Sequence, residues 1–248
     1  QAFDVSKRML LSQTAMPRVG EIWPAWFDPA DPQTFAVGQP GAFTAEQVAP
    51  IFDEVFGKWV TLRGELPVVH QLFFLPHHGL PLYSEARFLG LVQACEAYAR
   101  QRFDTQYLTQ HEWIAGAYAE VTRNIPATLS SDLKSSLKSR LRYAFLYSFR
   151  KMLTTLVENT PAVRDRLIRC PGVFAQDVAL LRNYHVHVAE DLRAQVEEAP
   201  PLAHMIDYLE ILLHARMLMD IGLGEDQILE RLMSMPFFDT FRTLRHYS

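Results

Sequence analysis

Cysteine is scarce in this chain of 248 residues: only Cys95 and Cys170 occur, far apart and outside any CxxC pair. That excludes a disulfide framework and a zinc knuckle, and it fits a reducing cytoplasm. Glycine-rich phosphate loops are missing. Neither GxxxxGK nor GxGxxG is present, and the GxSxG elbow of serine hydrolases is absent as well. No apolar run reaches the roughly 18 residues of a membrane helix, and the first residues lack a basic-then-apolar leader, so no membrane association is expected. Charge of neither sign dominates. With 24 Lys and Arg against 28 Asp and Glu, the net charge is −4, which excludes a wholly basic nucleic-acid coat and leaves room for a local basic patch. Strand-like alternation and fixed-period repeats are also lacking. What remains is 49% hydrophobic and 21% charged residues, enough for one large core or a core with an appendage. Because it opens on Gln1 rather than Met, the chain reads as the remainder of a longer protein.

Two regions follow from the pattern. Residues 1–43 crowd Pro, Gly and aromatic residues without a helical period and read as an irregular or β-rich arm, or as the remnant of an upstream β-rich domain, its Trp23, Trp26 and Phe27 covering core surface. Residues 44–248 read as one all-α bundle. Thr44 with Gln47 makes a capping box for a helix whose inner stripe is Val48, Ile51, Phe52, Val55, Phe56 and Val60. Ser84 is expected to repeat that device, opening a helix to about Phe103 with Phe88, Leu91, Val92, Cys95 and Tyr98 inward. Between them LPVVHQLFFLPHHGLP gives a short helix, then a loop holding His77 and His78. Residues 132–159 are expected to form the longest helix, with Leu141, Phe145, Phe149, Met152 and Leu156 inward and Pro161 ending it. Further helices are expected over Val173–Val186, Leu202–Ile221 and Glu225–Met235.

The segment LLRNYHVHVAED, residues 180–191, sets an arginine, an asparagine and two histidines in an otherwise apolar helix. Such groups cost on the order of 2–7 kcal/mol to desolvate unpaired, so the chain pairs them or uses them. Arg182 and His187 lie five apart, about 140° around a straight helix. Either the helix ends near His187 and lets its imidazole fold back, or a second copy of the segment from another subunit completes the site. His185 is the same-face neighbour of Arg182. On the residues alone, an arginine buried with Glu190 or Asp191 and histidines satisfied in the core is the favoured reading of the segment. A metal reading, His185-x-His187 with Glu190, needs a strand to bring both imidazoles to one face, and this stretch is helical, so no metal and no cofactor are expected.

RNYHVH resembles the RNxxxH form of the arginine–histidine motif of HEPN domains. FGKWVTLRGELPVVHQLFF (56–74), RFLGLVQACEAYARQRF (87–103) and LLHARMLMDIGLGEDQI (212–228) stand around it in the order of the Apea-like HEPN family, so the resemblance covers about 44–235. It implies an all-α, dimeric bundle and a metal-independent ribonuclease in which the RNA 2′-hydroxyl attacks the adjacent phosphate. In that mechanism His187 exchanges the proton, and Arg182 offers its planar, permanently charged fork to the phosphate oxygens. Asn183 donates to phosphate or fixes the imidazole tautomer, with Tyr184 and His185 as helpers. His185 departs from the family pattern, whose inner position is usually not basic. Glu96 matches an acidic position that faces the motif and would orient Arg182. An ordinary helix-surface pairing with Arg100 accounts for it equally well.

From 132 to 151 six basic residues face one acidic residue, and Lys138, Arg142, Arg150 and Lys151 are candidates for following an RNA backbone; a solvated helix face is the plainer reading. The resemblance further implies a cytoplasmic effector of bacterial anti-phage defence, of abortive-infection or toxin type. Its partners would be RNA, a second copy of itself through the HEPN helices, and a phage-derived trigger or regulatory protein. The competing function is a noncatalytic HEPN module that dimerises or binds a nucleotide or partner.

Overall fold

The computed structural model describes residues 48–75, 83–188, 190–225, 227–228 and 247. The expectations for residues 1–43, the Thr44–Gln47 capping box, His77 and His78, and the final helix beyond Ile228 lie outside these residues. Within them the chain is an all-α bundle: no strand forms, and the one isolated bridge pairs Gln106 with Leu146. No helix among the described residues is long and apolar enough to cross a membrane.

A short 3-10 turn, Ala49–Ile51, leads into α1 (Phe52–Glu65) and α2 (Pro67–Phe74). The central helix α3 spans Ser84–Arg102. Next, Gln110–Glu112, a π turn at Trp113–Ala117, and Tyr118–Arg123 run on as α4, followed by α5 (Ser131–Leu141). The body resumes with α6 (Phe149–Glu158), α7 (Pro161–Arg166) and α8 (Pro171–His187). A 3-10 turn at Glu190–Leu192 precedes α9 (Arg193–Glu198) and α10 (Leu202–Asp220).

Helix α3 is the hub: α2, α6, α8 and α10 all pack on it. Its expected stripe, Phe88, Leu91, Val92, Cys95 and Tyr98, is buried throughout, joined by Ala94 and Ala99. Helix α10 is apolar on most sides and buried over most of Met205–Leu218, with Asp207, His214 and Arg216 only half-buried, as expected of a helix largely enclosed by others. Each fully buried Leu or Phe in this core stabilises the fold by about 1.5–3 kcal/mol through lost water contact.

Three expectations need correction. The inner face of α1 is Val55, Trp59 and Leu62, while Ile51, Phe52 and Val60 are exposed. Trp59 sets that orientation by meeting the rings of His70 and Phe74 on α2 at 5.5 and 5.9 Å, and Val60 lies about 140° around from Val55. Ser84 does not cap α3. Tyr83 holds the N-cap position with no side-chain bond, because the residue three beyond Ser84 is Arg87, which has no acceptor to return to the backbone. A full capping box forms instead at Thr109 and Glu112, opening α4.

The third correction is larger. The single helix expected over 132–159 is two helices, α5 and α6, so the longest described helices are α3 and α10. Between α5 and α6 the aromatic run Tyr143–Tyr147 turns and pairs with residues 105–107, Tyr107 N–H donating to Phe145 O and Tyr147 N–H to Thr105 O, both at 2.8 Å. Ser148 then accepts from Lys151 N–H and restarts the helix. The apolar spacing runs on through the break: Phe145 is buried in the turn, and Met152 and Leu156 on α6.

Candidate functional site

Helix α8 carries the arginine–histidine motif and packs against α6 and α3. Phe174, Ala175, Val178 and Leu181 bury its inner face, which turns Arg182 toward the seam with α3. There its guanidinium lies over the Phe149 ring of α6, 5.1 Å from the ring centre, and Nη2 stands 3.6 Å from Glu96 Oε2. The other oxygen of Glu96 accepts from Arg100 Nη2 at 2.9 Å and Nε at 3.3 Å. One carboxylate thus holds two guanidiniums. Both alternatives read for Glu96, the pair with Arg182 and the pair with Arg100, are present together.

These groups border an open depression of about 500 Å³. Leu89, Val92, Ala97 and Val186 give it apolar walls, and Gln93, Glu96, Arg100 and Arg182 line the rest. Two cations around one anion leave a net positive charge beside an apolar surface, suited to a ligand with an anionic group and a flat apolar one. Glu190, a partner considered for Arg182, instead pairs with Arg193 at 2.8 Å.

His187 is the last residue of α8. Val188 follows in the left-handed conformation at φ 48° and ψ 45°, a common way for a helix to stop, although glycine is the usual residue there. A β-branched residue in that region costs about 1–2 kcal/mol. The helix does end at His187, but its imidazole does not fold back into the depression beside Arg182. The imidazole is exposed, as is Asn183, and neither lines the depression within one chain. Tyr184 and His185 are half-buried. The His185 ring meets Phe88 of the core at 6.2 Å and Tyr184 at 5.2 Å, so despite its spacing it does not line the depression. His185 and His187 lie about 200° apart on the helix, and no metal-holding group of three His, Cys, Asp or Glu forms among the described residues.

Lys138, Arg142, Arg150 and Lys151 are all exposed, but the continuous basic helix expected to carry them does not exist, since α5 ends at Leu141. Lys151 Nζ sits over the Tyr147 ring at 4.7 Å and near Tyr107 at 5.7 Å. Sequence reasoning missed Arg100 as a lining residue and Phe149 as the platform under Arg182. The i,i+4 spacing from Glu96 was the only signal for the first, and Phe149 read as ordinary core.

Two further polar clusters tie α3 to α10. Tyr98 donates to Asp220 at 2.7 Å, and Arg216 bridges the same pair. Arg87 Nε donates to Glu210 at 3.0 Å. Burial raises the Glu210 carboxyl above its usual range against the pull of Arg87. Burial and the neighbouring Glu210 push Asp207 up to about 6.

No curated protein and no solved structure matches this chain. The Apea-like HEPN family model matches residues 89–227, from the central helix α3 through the Arg182–His187 motif to the end of α10 and just beyond. That span is narrower than 44–235, yet it takes in more than half of the chain and both sides of the depression, and the chain belongs to the Apea-like HEPN family.

Proposed function

We propose that this chain is a metal-independent endoribonuclease of bacterial anti-phage defence, cutting RNA at an Arg182–His187 site completed by a second copy of the chain. HEPN domains point to a nuclease or nucleotide-binding role, and the finer reading rests on one observation. Arg182 is held over Phe149 and beside Glu96 at the edge of an open depression, while α8 stops at His187 and leaves that imidazole exposed. A second α8 laid antiparallel against the first would bring its exposed His187 toward this arginine, the reason for assigning a homodimer.

In the reaction the 2′-hydroxyl oxygen attacks the neighbouring phosphorus and its proton passes to His187. The P–O5′ bond breaks, the proton returns to the leaving oxygen, and a 2′,3′-cyclic phosphate and a 5′-hydroxyl remain. Arg182 carries the phosphoryl charge, and Asn183 donates to the same oxygens or fixes the imidazole tautomer. A positioned imidazole is worth about 10²–10⁴ in rate.

The test is incubation of the purified chain with RNA in EDTA and analysis of the new ends. Cyclic phosphate ends are expected, lost in Arg182→Ala and His187→Ala. Cleavage that persists in His187→Ala refutes the assignment. A second reading, a noncatalytic nucleotide- or partner-binding module, is favoured by the neutralising contact of Glu96 on Arg182; binding without cut ends would select it.

A further inference from the structure

From Gln106 to Ala144 not one residue is buried, although the stretch contains α4 and α5 and separates the core helices α3 and α6. The chain leaves the body and returns to it through a narrow neck. Thr105 and Phe145 are buried at its base, and the two backbone bonds at 2.8 Å between residues 105–107 and 145–147 close it. Beyond the neck the helical hairpin is held by its own contacts. Trp113 Nε1 donates to Leu141 O at 3.0 Å, Tyr118 OH to Lys138 O at 3.2 Å, and Lys134 Nζ to Ala127 O at 2.7 Å. A helix pair that buries no side chain gains little from the hydrophobic effect, and helices this short are marginal alone. The hairpin therefore contributes surface to the protein and little core.

Glu112, Glu120 and Asp132 are exposed on the hairpin up to the first turn of α5, and beyond them the cations gather, on the rest of α5 and the start of α6. From Lys134 to Lys151 there are six cations and no anion. Lys138, Arg140, Arg142, Arg150 and Lys151 are exposed and form no ion pair among the described residues. Aromatic rings are interleaved with them: Tyr143 is 61% and Tyr107 58% exposed, and Lys151 lies over Tyr147. Free cations that track phosphates, set among open rings on which bases stack, are the two elements of single-strand recognition, the rings worth about 1–3 kcal/mol per base. The neck also adjoins the candidate site, since Phe149, two residues past Tyr147, is the ring beneath Arg182.

We propose that the hairpin 106–144, its neck and the adjoining first turn of α6 grip single-stranded RNA flanking the scissile bond, through Lys138, Arg142, Arg150, Lys151, Tyr107 and Tyr143, separately from the cleavage chemistry. The proposal takes the identity of its ligand from the ribonuclease reading and deepens it. Two variants of the full chain test it, each made in the His187→Ala background for binding and alone for cleavage. In the first, residues 108–143 are replaced by a two-residue turn across the neck; with nothing buried removed, the body should keep its circular dichroism and melting. The second is the quadruple change Lys138→Gln, Arg142→Gln, Arg150→Gln and Lys151→Gln, which leaves every element in place.

Fluorescence anisotropy with a labelled single-stranded RNA of about twenty nucleotides should show affinity falling about tenfold or more in both variants. The salt slope should shrink by about 0.7 for each lost phosphate contact. Cleavage of a short RNA that reaches only the depression should stay within about twofold. Unchanged affinity for the long RNA in the quadruple variant overturns the proposal. So does loss of self-association in the excised variant with RNA affinity retained in the quadruple one, which would make the hairpin a subunit contact. Hairpin-dependent binding without any cut ends supports the grip and refutes the nuclease reading alone. No RNA binding by the intact chain refutes both.

Discussion

Under the proposed ribonuclease reading, Glu96 sets how much positive charge the depression presents, and replacing it by Gln separates RNA binding from cleavage. The side chain is 22% exposed and lies between Arg182 at 3.6 Å and Arg100 at 2.9 Å. A phosphate seated on those arginines would stand roughly 6 Å from the carboxylate, where like charges repel by about 0.7–2.8 kcal/mol for effective dielectric constants of about 80 down to 20. The depression is open, so the lower part of that range applies. About 1 kcal/mol corresponds to roughly fivefold tighter RNA binding in Glu96→Gln. The same change removes the anion that orients Arg182. Phe149 still lies below the guanidinium but does not fix its rotation, and misplacement of a catalytic group by about 1 Å can cost 10²-fold. The turnover rate should therefore fall about tenfold or more while affinity rises. Affinity is read by anisotropy in the His187→Ala background, and rate by single-turnover cleavage in Glu96→Gln alone. Weaker RNA binding in Glu96→Gln, or a turnover rate within twofold of the parent, would refute this account of the carboxylate.

Other outcomes follow from the body of the fold. Burial, with help from Glu210, raises the Asp207 carboxyl from 3.8 to about 6. A raised folded-state value means stability that is whole below about pH 4 and lost as pH climbs through 6. Asp207→Asn should accordingly be more stable than the parent at pH 7.5 by about 1–1.5 kcal/mol, after halving the roughly 3 kcal/mol of the full shift for its contact with solvent. Urea unfolding at pH 4 and 7.5 checks this, and a difference that does not grow with pH contradicts it. Leu156 is fully buried beside α3, and Leu156→Ala should cost about 2–5 kcal/mol; a loss below about 1 kcal/mol would mean that this face of α6 is not core. Burial pushes the Cys95 thiol up to about 12, whereas Cys170 is exposed. A thiol reagent at pH 8 should label one cysteine per folded chain, and rapid labelling of two would place Cys95 nearer solvent.

The all-α class, the stripe of α3 and the positions of α8 and α10 were legible in the sequence because each depends on local periodicity and on prolines at helix starts. Periodicity misled where partners decide. In 132–159 the spacing of Leu141, Phe145, Phe149, Met152 and Leu156 fits one helix, yet the aromatic run 143–147 finds backbone partners at 105–107, and a sequence does not reveal which distant segment will offer them. Capping behaved in the same way, failing at Ser84 for want of an acceptor at Arg87 and forming unanticipated at Thr109 and Glu112. For the candidate site the sequence by itself determined the residue types: a permanent cation, an imidazole and an acidic residue on two amphipathic helices, in the order of one family. Tertiary packing alone decided that Glu96 serves two arginines, that Phe149 lies beneath one of them, and that His185 lies half-buried beside Phe88. The reason is that helix periodicity fixes which way a side chain leaves its own helix, whereas its neighbours are set by how α3, α6 and α8 cross, and that depends on the whole core at once.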